Sequence, residues 1–162
     1  MIPAEFADLP FGEKLLLWAI RLWATDAREA TNEQKTLRRG FNLAGVPDAY
    51  LALDGYLSLI AATATVQIDV RCSKCTEISN DEHLLLGVIA AWQQGHGKDH
   101  GTALLGTWLP QAAIRISQDP ASKLASVLKR SGLFIRPRCW RQSDKMSDRR
   151  GTAMATQHRT LH

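Results

Sequence analysis

Residues 72–94 read Cys72-Ser-Lys-Cys75-Thr-Glu-Ile-Ser79-Asn-Asp-Glu82-His83-Leu-Leu85-Leu-Gly-Val88-Ile89-Ala-Ala-Trp92-Gln-Gln94, and they carry the main signals of the chain. Ser79 followed by Glu82 has the form of a capping box, in which each side chain bonds a backbone N–H that a helix start leaves free. Leu85, Val88, Ile89 and Trp92 then recur at helical spacing, so an amphipathic helix reaching about Gln94 is predicted. In front of it stands Cys72-x-x-Cys75, a spacing that can grip a metal, cycle as a disulfide or simply shape a turn.

Upstream, Phe11 to Ala30 is a periodic segment with Lys14, Arg21 and Arg28 spaced by sevens beside Thr25 on one polar stripe, and nearly everything else from Leu15 to Trp23 is apolar. So broad a greasy surface predicts a central helix contacted from several sides, with Trp18 and Trp23 in the core. Thr31 and Gln34 form a second capping-box pattern, opening a helix with Leu37, Phe41 and Ala44 inward and Gly45 placed to stop it. Pro47 suits the first turn of a third helix, whose buried stripe is Tyr50, Leu53, Leu57, Ile60 and Ala64. Thr65 to Val70 alternates and is rich in β-branched residues, a short strand or an extended connector.

Downstream, three glycines in Gly95–Gly101 predict a loop, and helical pieces flank Pro110. In the last, Asp119 caps, Pro120 opens, Leu124, Val127 and Leu128 face inward, and Gly132 terminates. From Arg136 onward apolar periodicity disappears. The expectation is an all-α, irregular bundle of six to seven helices with at most one or two short strands. It forms a single helical domain over residues 1–135, followed by a flexible, disordered basic tail over 136–162.

Composition sets the outer limits. A chain of 162 residues with 45% apolar content and five tryptophans has material for one core and is no disordered chain. Three cysteines are too few for a disulfide scaffold, so a reducing cytoplasm is expected. Glu5 and Asp8 stand where a signal peptide would be basic, and the apolar run from Leu15 ends at Arg21, so neither a leader nor a membrane span or partner is expected. The net charge of +4 is not evenly spread: residues 1–135 hold 13 Lys and Arg against 14 Asp and Glu, and residues 136–162 hold 7 against 2. Basic character therefore belongs to the tail.

For metal chemistry, zinc wants four ligands, and the cysteine pair supplies two. His96 and His100 are spaced as a ligand pair, but a helix of about 20 Å separates them from the thiols at 1.5 Å per residue. His83, in the first turn of that helix, is the better third ligand, with Asp69, Asp81, Glu82 or Cys139 to complete the set, so the cofactor expectation is zinc or none. Redox use is weaker, because Ser79 puts the helix cap four residues after Cys75 and no βαβ pattern surrounds it.

No phosphate loop, dinucleotide fingerprint or nucleophile elbow is present, and Asp54, Asp81 and Glu82 read as helix-surface acids. Catalysis is therefore not expected. Lys123, Lys129 and Arg130 on the last helix, with Arg136, Arg138 and Arg141 in the tail, make a candidate nucleic-acid surface; the plain alternative is helix-dipole complementation and solubility. Trp108 and Trp140 are candidate partner anchors, although Trp108 also suits a core plug at a helix junction. The leading expectation is a non-catalytic protein that binds another protein, including a second copy of itself, with the cysteine turn as a structural brace. A DNA-binding regulator is the first alternative, and a small metal or redox protein centred on Cys72, Cys75 and His83 is the second.

Overall fold

The structure, a computed structural model, describes residues 5–138. Among them are six α-helices: α1 Phe11–Glu29, α2 Gln34–Leu43, α3 Ala49–Thr63, α4 Asn80–Gln93, α5 Thr102–Leu105 and α6 Gln111–Arg130. A 3-10 turn over Phe6–Asp8 precedes α1, and a π turn over Gly97–Gly101 runs into α5. The all-helical expectation holds. The segment 65–70 is not a strand but an extended connector, and the sole bridge among the described residues pairs Glu5 with Glu77. Among the described residues the connector has no neighbour on which to build a ladder, which outweighs its β-branched composition.

One core joins all the longer helices. α6 lies against both α3 and α4, while α1 touches α2, α3 and α4. Leu16, Leu17 and Ile20 of α1, Leu53 and Tyr56 of α3, Leu86 and Ile89 of α4, and Leu124 and Leu128 of α6 are essentially inaccessible to water. Trp18 and Trp23, expected in the core, lie only partly buried at its edge, and the Trp23 indole N–H is donated to Asp54 Oδ1 at 2.9 Å. No helix among the described residues is long and apolar enough to cross a membrane.

The helix starts divide instructively. Ser79 and Glu82 form the expected capping box: the Ser79 hydroxyl accepts from Glu82 N, and the Glu82 carboxylate accepts from Ser79 N. Thr31 and Gln34 do not, since α2 begins after Glu33 and the Thr31 hydroxyl is instead donated to Asp26 at 3.4 Å. Asp26 also accepts from Glu33 N, so a carboxylate from the end of α1 takes over the capping work. α6 does not start at Asp119; it runs from Gln111 through Pro120 without interruption, because its apolar stripe of Ala113, Ile114, Ala121 and Leu124 continues across the proline.

The end of α6 positions the candidate site. Gly132, at φ +76°, is the left-handed residue of a Schellman closure in which Leu133 N bonds Leu128 O and Gly132 N bonds Lys129 O. The chain then turns back as an extended strap, residues 133–138, across the start of α1. Gly12 admits that crossing, for a Cβ there would stand 3.1 Å from Phe134 O.

Candidate functional site

Two buried ionic centres converge on the first turn of α4, one built on Glu82 and the other beside His83. Arg21 comes from the middle of α1 and is 1% exposed, facing a Glu82 that is wholly buried. Its Nε donates to Glu82 Oε1 at 2.7 Å and its Nη2 to Oε2 at 3.0 Å, a two-pronged pair. Its remaining donors reach Cys75 O at 2.6 Å and Glu77 O at 2.7 Å. The Glu82 carboxylate also accepts from Arg71 N at 3.0 Å. Each oxygen thus has two donors, the condition under which a buried charge pair is tolerated.

The guanidinium therefore holds the cysteine turn by its carbonyls. Around it, the Ser79 hydroxyl is donated to Asp69 O, Asp69 N to Asp81 Oδ2 at 2.7 Å, and Phe6 N to Thr76 O at 2.7 Å. Cys72 and Cys75 are joined to each other as a disulfide. The expected metal set is not assembled: the two sulfurs face each other, and no group of three or more His, Cys, Asp and Glu among the described residues is arranged to hold an ion. The third expected ligand, His83, points elsewhere, its Nδ1 accepting from Arg138 Nε at 3.1 Å. Cys139 lies outside the described residues.

The second centre joins the strap to α1 and α4. Glu13, wholly buried, accepts at Oε1 from Arg136 N at 2.7 Å and Arg136 Nε at 3.2 Å, and at Oε2 from Arg138 Nη2 at 2.9 Å. Burial alone would raise the Glu13 carboxyl, but the Arg136 side-chain and backbone hydrogen bonds, with the charge and hydrogen bond of Arg138, outweigh it and hold the group below the usual carboxylate range. Arg138 is pulled down by burial, an effect that the Glu13 charge opposes. Gln93 completes the attachment, donating to Leu133 O at 2.9 Å and accepting from Ile135 N at 2.8 Å.

Several of the expected nucleic-acid residues are engaged within the fold. Arg138 is buried, and Arg136, although exposed, is bound to Glu13, so both arginines are tied to the helical body. Lys123 pairs with Asp119 at 2.8 Å, and Lys129 Nζ bonds Gln93 O at 2.7 Å. Arg130 stays exposed, and Arg141 lies outside the described residues. Trp108 is the core plug: it is 1% exposed and donates its indole N–H to Asp81 Oδ1 at 3.1 Å. Trp140 also falls outside the described residues.

Sequence reasoning missed Arg21, Glu13 and their roles. In the sequence Arg21 falls on a polar stripe with Lys14 and Arg28, and only the apolar residues on either side of it, Ile20 and Leu22, hint at burial. Large apolar side chains left facing water are the other feature of the surface. Phe11 and Phe134, 63% and 59% exposed, stand on the two segments that cross at Gly12. No family model, no curated protein and no solved structure matches this chain.

Proposed function

We propose that this protein acts without catalysis, by protein–protein contact that includes a second copy of itself, and that the cysteine turn is a brace for the fold. The observation that carries the reading is the pair Phe11 and Phe134, exposed on adjoining segments where the strap crosses the start of α1. Phenylalanine is costly to leave in water, and each ring removes much apolar area from it on docking, with little side-chain entropy to lose. Two exposed rings on segments tied together through Glu13 suit a self-complementary two-fold contact.

Support for the brace comes from how the turn is held. Arg21 contacts carbonyl oxygens and not sulfurs, so the turn keeps its shape whether the cysteines are joined or reduced. That property matches the reducing cytoplasm we propose as its compartment, where a disulfide does not persist by itself.

Sedimentation from micromolar to submillimolar protein tests the self-contact. The wild-type chain is expected to dimerise with concentration, and a Phe11→Ser, Phe134→Ser variant with unchanged circular dichroism is expected to stay monomeric. A monomer at every concentration removes self-association from the proposal.

A further inference from the structure

A cavity of about 290 Å³ lies between α1, α3 and the 65–70 connector. Its floor is Ile20, Leu57, Ile60 and Leu85, all buried. The connector forms one wall and is fixed at both ends: Thr65 N and its hydroxyl bond Trp108 O at 2.9 and 3.1 Å, and Arg71 N bonds Glu82. A wall tethered in this way is preformed and does not wait on a ligand for its shape.

Among the fourteen described residues that line the cavity, Arg28 alone carries a charge. It sits at the exposed rim, gives one N–H to Val70 O at 3.2 Å, and has no carboxylate within ion-pair distance among the described residues. An apolar hollow with one uncompensated guanidinium at its mouth matches a molecule with a hydrocarbon body and one anionic end. We infer that this cavity binds a free monocarboxylate of medium chain length. At roughly 30 Å³ per methylene, similar to the share of one water, the volume takes a body of about eight to ten carbons.

Calorimetric titration of the full chain with octanoate, octanol and octylammonium, all below their aggregation concentrations, tests the inference. One octanoate per chain is expected, held about fivefold more tightly than octanol, the scale of an exposed ion pair. Arg28→Gln should level octanoate with octanol, and Ala61→Phe, which fills the rim from α3, should abolish both; Ala27→Phe from the α1 side replaces it if that variant fails to fold. Octylammonium binding as tightly as octanoate, no saturable octanoate binding up to millimolar ligand, or retention of binding in the filled variant would each overturn it. So would octanoate binding that weakens as protein concentration rises, which would mark the cavity as a seat for a second copy.

Discussion

Arg21 and Glu82 show what a buried charge requires. A guanidinium and a carboxylate removed from water lose several kcal/mol of hydration each, and only near-complete hydrogen bonding makes the burial tolerable. Here the carboxylate has four donors, and α4 presents its positive end to it, since Glu82 lies in the first helical turn. Replacing Glu82 by Gln leaves Arg21 charged and unpaired, and we expect a loss of about 3–5 kcal/mol in chemical denaturation. Tyr56 gives the opposite case. It is fully buried, its hydroxyl has no hydrogen-bond partner among the described residues, and burial pushes its ionisation upward. Tyr56→Phe removes an unsatisfied polar atom at nearly constant shape, so it should be neutral to stabilising, by up to about 1 kcal/mol. A loss of melting temperature in that variant would mean that the hydroxyl has a partner after all. Neither residue's state was legible in the sequence, because whether a polar atom finds a partner depends on what another helix brings to it.

At the scale of elements, the strap over residues 133–138 is tied down by Gln93, Glu13 and Arg138 in place of a continuous apolar stripe. The Glu13 carboxyl is depressed in the folded chain from an ordinary value of 4.5. Its contribution is therefore complete above that value and disappears as pH falls below it through the folded value. Acid titration of stability should show this loss in the wild-type chain, flanked by the Arg136 and Arg138 charges and by His83 against Arg138. Glu13→Gln should be less stable at neutral pH and should flatten the acid limb; equal acid sensitivity in both would contradict the assignment. Helix existence was legible from period and caps, as Ser79 with Glu82 shows. Helix limits were less so, because α6 passes through Pro120, where stripe continuity across the α3 and α4 contacts overrides the local stop. The strap was missed for a related reason: a segment held by side-chain hydrogen bonds has no apolar period to read.

Across the whole molecule, the bundle follows from its apolar pattern, while its ionic centres fix how the N-terminal turn, the cysteine turn and the strap are laid on it. The Cys72-x-x-Cys75 motif suggested metal or redox chemistry because spacing alone does not reveal what surrounds it. In the fold, the sulfurs meet each other, and the backbone oxygens beside them meet Arg21. A disulfide enclosing residues 72–75 constrains a very short loop, so chain entropy limits its stabilisation to about 2 kcal/mol. The buried guanidinium should matter more. Equilibrium urea unfolding of Cys72→Ser, Cys75→Ser beside Arg21→Met, measured on the same day in the same buffer, compares the two directly. We expect the cysteine variant to lose no more than about 2 kcal/mol and the arginine variant about 3–5 kcal/mol. A cysteine variant that unfolds outright while Arg21→Met stays near wild type would show that the sulfurs, and not the clasp, hold the turn.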